Sequence, residues 1–243
     1  MSRAPAKTKT AIPASARPPR SFPDGLWPSD GVVFDRTCTD CPRLAEFLAR
    51  GRQEYPDYYC APVAPFGDPR APLVLIGLAP GFHGANATGR PFTGDFAGIL
   101  LYRTLHKFGF ASRPVSTARG DGLRLIDCRI TNSVKCVPPQ NKPTPMEIRT
   151  CNRYLAAELR QGPRDCVLLA LGSIAHNAAL RALGLPPARY RFAHAAEHEL
   201  PNGRVLLDSY HCSRYNTQTR RLTDEMFEDV FRRARALVDA RSR

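Results

Sequence analysis

Eight cysteines occur in this chain, and four of them are spaced for metal chemistry. Cys38-Thr39-Asp40-Cys41 is a C-x-x-C pair, whose two thiolates can grip one metal centre. Cys136 and Cys151 supply a second, wider pair, one just past a strand and one inside a helix. Four thiolates suit either zinc or a [4Fe–4S] cluster. The wide second spacing fits a zinc ribbon poorly, because ribbons repeat the tight pair. The plain alternative is that Cys136 and Cys151 are ordinary buried thiols. Cys60, Cys128, Cys166 and Cys212 read as spare, with Cys128 and Cys166 in apolar runs. Cys60 sits in a loop and is the one that could displace a member of the set. A disulfide framework is not expected in a chain of this length from a reducing compartment.

These groups need elements to hold them. The apolar run Leu73–Gly77 lies between Pro72 and Ala79-Pro80-Gly81, and reads as a buried strand ending in a turn. Residues 123–131, 166–171 and 205–209 are three more strand candidates. Helices are expected near 43–51 and over 96–108. Thr144-Pro145-Met146-Glu147 is a helix start: Thr144 can cap, Pro145 suits the first helical position, and Glu147 can close a capping box. That helix should run to about Arg160. Gly172-Ser173 opens another, which Gly184 ends, and 223–240 is a final amphipathic helix. Strands alternating with helices imply a three-layer α/β/α protein around a mostly parallel, four-stranded sheet. Ligands of such sheets gather at the carboxyl ends of the strands. Four polar or glycine-rich segments fall there: 77–94, Asn132, Gly172-Ser173 and 210–216.

Lys and Arg number 35 against 22 acidic residues, a formal charge of +13. Such a balance favours a polyanion, since each phosphate neutralised releases a counterion. Ribosomal and membrane-surface proteins share it, so charge alone does not select nucleic acid. No apolar stretch approaches the roughly 18–20 residues of a membrane span. Residues 1–25 are rich in Pro, Ala, Lys and Arg without an apolar core, and are expected to form a disordered basic tail. Residues 26–243 are expected to form a single domain, monomeric and cytoplasmic, in contact with the nucleoid.

Three motifs follow one another along the chain. The first is Gly77-Leu78-Ala79-Pro80-Gly81, continued by 83–95 with Arg90-Pro91-Phe92-Thr93-Gly94-Asp95. The second is Thr131-Asn132-Ser133-Val134-Lys135-Cys136, continued by Pro138-Pro139-Gln140-Asn141-Lys142-Pro143. The third is Tyr210-His211-Cys212-Ser213, with Asn216 and Arg221-Leu222-Thr223 behind it. In this order the set resembles the family 5 (type B) uracil-DNA glycosylases and, more distantly, the iron–sulfur family 4 enzymes. The resemblance runs from about Asp35 to the last helix. It implies the uracil-DNA glycosylase fold and a [4Fe–4S] cluster, rather than zinc, on Cys38, Cys41, Cys136 and Cys151. The cluster would staple the leading segment to the second strand's loop and helix.

The resemblance also implies a chemistry. A base inside a duplex hides its glycosidic bond, so such an enzyme extrudes the nucleotide. The base leaves as an anion and the sugar gains cation character, so donors must face the base. By resemblance, His211 is the donor at O2 of the flipped base. Asn132 would donate to uracil O4 and accept from N3–H, a pattern that cytosine reverses. Phe92 would stack on the ring, with backbone groups of Gly77, Ala79 and Gly81 close to it. Leu78 replaces the acidic or amide residue that other glycosylase families place in this motif. Asp95 is then the nearest carboxylate to hold water or steady the sugar cation; its rival role is a helix N-cap before Phe96. Arg214 and Tyr215 are candidate wedges for the vacated stack, and Ser213 a phosphate contact. Cys212 departs from the commoner proline, which leaves the wedge loop less rigid. The expected partner is double-stranded, and secondarily single-stranded, DNA carrying uracil or another deaminated base such as hypoxanthine. Two other readings compete. One is a metal-stabilised nucleic-acid-binding module without activity, for which Asn132 and His211 together would be superfluous. The other is a nucleotide hydrolase or transferase, but no P-loop or G-x-G-x-x-G pattern occurs.

Overall fold

The computed structural model describes residues 34–241. The tail expected over residues 1–25 lies outside them. In chain order the strands are β1 (Phe66–Gly67), β2 (Leu73–Gly77), β3 (Cys128–Asn132), β4 (Val167–Leu171), β5 (Glu197–Glu199) and β6 (Val205–Ser209). The helices are α1 (Pro42–Glu54), α2 (Ala85–Thr88), α3 (Phe96–Lys107), α4 (Pro145–Gln161), α5 (Ser173–Ala182), α6 (Arg214–Gln218) and α7 (Asp224–Arg241).

The strands form one sheet in the order β1-β3-β2-β4-β6-β5. The central four are parallel, as the alternation of strands and helices requires. Two short antiparallel strands, β1 and β5, extend the expected four-stranded sheet at its edges. Neither has a periodic apolar signature, because β1 is two residues long and β5 is Glu-His-Glu. The second parallel strand begins at Cys128 rather than at 123; the residues before it turn, with one bridge from Leu125 to Ala111.

Side-chain alternation divides the core. Leu73, Leu75, Val167, Leu169 and Leu171 face one side, under Leu101 and Leu105 of α3 and Phe227 and Phe231 of α7. Val74, Ile76, Leu168 and Ala170 face the other, against Leu155 and Leu159 of α4 and Ala175, Ala178 and Ala179 of α5. The sheet is thus covered on both faces, the three-layer α/β/α arrangement. A third apolar cluster joins Leu44 and Leu48 of α1 to Val134, Val137, Ile148 and Tyr154.

The start of α4 follows its sequence signature. Thr144 accepts from the Glu147 amide at 3.2 Å, and Glu147 accepts from the Thr144 amide at 2.7 Å, a complete capping box. Glu147 also takes two hydrogen bonds from Arg43 of α1, both 2.7 Å, which tie the two helices. Because the central strands are parallel, Gly77, Asn132, Leu171 and Ser209 all end at one rim. The chain passes from β2 to β3 on one side and then to β4 on the other, so strand order reverses at β2, where open sheets bind ligands.

Candidate active site

A cleft of about 500 Å³ opens at this rim. Asn132, His211, Asp95, Phe92, Ala79 and Gly81 all line it, with Ser213, Arg214 and Tyr215 at one side. Three motifs spread over more than a hundred residues of sequence therefore meet in one place. Gly172-Ser173 does not line the cleft. A side chain at Gly172 would instead touch His211 Cβ from behind, at 3.7 Å, so this fourth rim segment is a support. Phe96 and Asn141 line the cleft without having been singled out in the sequence. Asn141 has a φ of 57°, and the Pro138-to-Pro143 run was the signal for such a turn.

Asn132 ends β3, is 3% exposed, and stands in register with Gly77. Its Oδ1 has no hydrogen-bond partner among the described residues. A buried unpaired acceptor costs about 1–3 kcal/mol, which a ligand donor would recover. Gly77 lies beneath the cleft rather than in its wall. A Cβ there would stand 2.4 Å from Asn132 Oδ1 and 2.8 Å from the Phe92 ring. Ser133 fastens the next residue, its amide and hydroxyl donating to the Gly77 carbonyl at 2.9 and 2.8 Å.

Phe92 has a φ of 56°, a left-handed conformation that costs a non-glycine residue of order 1 kcal/mol or more. Its surroundings impose it. Tyr102 donates to the Pro91 carbonyl at 2.7 Å, and Gly98 in α3 leaves room for the Phe92 carbonyl, which a Cβ would meet at 1.8 Å. Arg90 anchors the segment from below, donating to Asp121 at 2.8 Å and Ser116 at 3.0 Å. The Phe92 ring lies 6.0 Å from the His211 ring, nearly parallel at 27°.

His211 follows β6. Asn216 donates to its carbonyl at 2.8 Å, and His194 accepts from the Tyr210 amide at 3.1 Å. Burial pushes the imidazole pKa down to about 4, so the ring is neutral at physiological pH. Asp95 stands at the N-cap position of α3 but makes no side-chain cap. Its carboxylate turns back across the first motif and accepts from the Ala85 amide at 3.1 Å. Gly81 and Gly84 admit it: a Cβ on either would meet Asp95 Oδ1 at 2.2 or 1.9 Å. Burial raises the Asp95 pKa, and the Ala85 amide offsets part of that rise. Gly84 was not singled out in the sequence, because its partner lies eleven residues on.

Ser213 N-caps α6, accepting from the Asn216 amide at 3.4 Å. Arg214 lies 4.9 Å over the Phe96 ring, and Tyr215 is 69% exposed at the mouth. Arg221 stacks over Tyr210 at 4.7 Å.

Cys38, Cys41, Cys136 and Cys151 wall a single small void beside the rim, with Leu44, Val134 and Tyr154. Cys60 is absent from it. That thiol is buried elsewhere, with Asn86 Nδ2 at 3.4 Å from its sulfur. Cys128, Cys166 and Cys212 are core. Burial and the neighbouring thiols raise the Cys136 pKa, and burial pushes that of Cys151 up to about 12. N–H groups already face two sulfurs: Arg153 to Cys38 at 3.7 Å and the Lys135 amide to Cys151 at 3.3 Å. Zinc bonds of 2.3 Å would need sulfurs about 3.8 Å apart. Among the described residues the three-ligand group gathered within 4.8 Å is His176, His198 and Asp208, so the thiols are spread more widely than that. The four thiols that wall the void are a donor set that either zinc or a [4Fe–4S] cluster would take.

The fold and cleft together define an α/β protein with an aromatic, amide and imidazole site at the switch point of its sheet. A family model described as the uracil DNA glycosylase superfamily matches residues 64–235. The type-5 uracil-DNA glycosylase of Thermus thermophilus is 49% identical over 206 residues, covering 83% of this chain and 94% of that protein. That of Pyrobaculum aerophilum is 37% identical over 214 residues, covering 86% and 93%. A type-4 uracil-DNA glycosylase of Archaeoglobus fulgidus matches at 37% over 110 residues, 45% of this chain and 47% of that one. The chain belongs to the uracil DNA glycosylase superfamily, among the type-5 members.

Proposed function

We propose that this protein excises uracil from DNA by hydrolysing the bond between base and deoxyribose, leaving an abasic site. The carrying observation is that Asn132, with its unpaired buried oxygen, shares one cleft with a neutral His211. A flipped uracil offers N3–H to Asn132 Oδ1 and its O4 to the Asn132 NH2 group. Phe92 supplies an aromatic face for the ring. His211, neutral, donates an N–H toward O2 as negative charge grows there. Asp95, fixed over the Gly81–Gly84 turn, holds the attacking water or steadies the sugar cation. Ser213, Arg214 and Tyr215 meet the DNA, with Arg214 and Tyr215 filling the space the base vacates.

The net charge of +13 suits a phosphate backbone. Duplex DNA is the first substrate and single-stranded DNA the second, with the protein acting as a monomer at the nucleoid. Leu78 at the cleft wall sets few polar demands, which leaves room for hypoxanthine. A [4Fe–4S] cluster on Cys38, Cys41, Cys136 and Cys151 would crosslink α1, the β3 loop and α4, a structural role. Among the described residues no helix is long and apolar enough to cross a membrane.

The test is incubation of the full chain with duplexes bearing one uracil, one hypoxanthine or one thymine mismatch, then alkaline cleavage. Strand scission at uracil, with scission also at hypoxanthine and none at thymine, supports the reading. Tight DNA binding without scission would instead favour the inactive binding module.

A further inference from the structure

Behind Asn132 lies a charge that the excision chemistry does not use. Lys135 follows β3 and its side chain is 1% exposed. Its ammonium stands 2.6 Å from Glu158 Oε1 on α4, a side chain equally buried. It donates to the backbone carbonyl of Asn132 at 3.0 Å and to the hydroxyl of Thr131. The ammonium thus has two neutral acceptors, and Glu158 supplies the opposing charge. The Lys135 amide donates to Cys151 at 3.3 Å, so the same residue touches the cysteine shell.

Stability does not account for this pair. Replacing a buried ion pair by apolar groups of similar volume is often neutral or stabilising. Neither Glu158 oxygen has a hydrogen-bond partner among the described residues, so the contact with Lys135 is a charge pair and not an optimised network. What the ammonium does deliver is a fixed donor on the peptide of Asn132, a cleft residue whose buried side-chain oxygen is unpaired among the described residues. Among the described residues, its strand register and Ser133 hold Asn132 on the Gly77 side.

We propose that Lys135 is the positioning residue for base selection: it clamps the Asn132 peptide from behind, Glu158 holds the clamp, and α4 couples both to the cysteine shell. The proposal rests on the reading of Asn132 as the base-recognising residue. Loosening the clamp lets the Asn132 amide swing, so uracil loses its advantage over cytosine while contact with the DNA backbone is untouched.

The test compares Lys135→Met/Glu158→Met, which removes both charges together and avoids stranding either, with Glu158→Gln, which keeps an acceptor for Lys135. Melting temperature and absorbance near 400 nm verify fold and cluster. Hydrogen exchange of the peptide spanning 128–137 reads the clamp without any catalysis. In the double variant, exchange there should quicken by about tenfold, with the rest of the sheet unchanged. Uracil-over-cytosine selectivity should fall by about tenfold, and affinity for undamaged duplex should stay constant. Glu158→Gln keeps the shape that holds Lys135 against Asn132 but leaves the ammonium without its counter-charge, so it should melt earlier while staying near the wild type in exchange and selectivity. Unchanged exchange in a folded double variant would overturn the proposal, as would faster exchange with selectivity intact. A proportional loss of every parameter with the folded fraction would do the same. Should the wild type not excise uracil at all, the functional reading fails, and with it the selectivity half of this proposal; the exchange measurement still decides the clamp.

Discussion

Gly77 and Asn132 are register partners on β2 and β3, and the glycine's missing side chain is what lets the asparagine amide reach the cleft. A methyl group at 77 would stand 2.4 Å from Asn132 Oδ1 and press on Phe92 as well. Gly77→Ala should therefore misplace both walls of the ring site at once. Overpacking of this kind costs about 1–3 kcal/mol of stability. The loss in kcat/KM should be larger, about 100-fold or more, because misplacement by an ångström is felt directly in the reaction. Urea denaturation and single-turnover cleavage, run side by side, separate the two.

In the proposed reaction His211 is a neutral donor. Its burial holds the pKa at about 4, so it contributes no acid limb to the rate between about pH 5 and 8. His211→Ala should lower kcat by about 10²–10³-fold, the scale of one oxyanion donor. A rate limb near the ordinary histidine pKa that vanishes in His211→Ala would show a protonated imidazole instead.

Asp95 has a raised pKa, caused first by burial. In the proposed role the ionised form works, so kcat/KM should fall as pH drops through that raised value. Asp95→Asn should lose about 10²–10⁴-fold in rate and lack this limb. If Asp95 were only the start of α3, the variant would melt earlier and cleave at the wild-type rate.

Much of this was legible because the chemistry sits where apolar runs stop. Leu73–Gly77 is a continuous apolar run and β6 opens with Val205, Leu206 and Leu207, and the residues past these runs line the cleft. Thr144 and Glu147 declared the start of α4 by local hydrogen bonding alone. Contacts made across long sequence distances were not legible. Gly172 behind His211, Gly84 beneath Asp95 and Glu158 against Lys135 are each set by packing, which leaves no periodic mark. The edge strands β1 and β5 were missed for a related reason: they are too short to show alternation.

His176 should impose a pH dependence on stability. Its Nδ1 lies 2.7 Å from Asp208 Oδ1, and its Nε2 lies 2.9 Å from the Tyr190 carbonyl. Burial pulls its pKa down, but the Asp208 hydrogen bond and charge, with that carbonyl, outweigh it and the net shift is upward. A raised folded pKa stabilises fully below about 6.5, the unfolded value, and the gain is lost as pH rises through the folded value. The stability difference between wild type and His176→Asn should thus shrink as pH rises, in urea midpoints taken across the range. A difference that widens would contradict the assigned charge.

Removing one thiol tests the proposed cluster. Cys38→Ala should abolish absorbance near 400 nm, leave less than the full iron content and lower the melting temperature, since metal binding is coupled to folding. Cys60→Ala should keep the iron, because that sulfur lies outside the void.

The most direct measurement is the single-turnover rate on matched duplexes carrying uracil or cytosine at one position, for wild type and Asn132→Leu. The wild type should favour uracil by about 10⁴-fold or more, as sites built on paired hydrogen bonds do, and the variant should lose most of its rate on uracil. Undiminished uracil cleavage by Asn132→Leu would contradict the account.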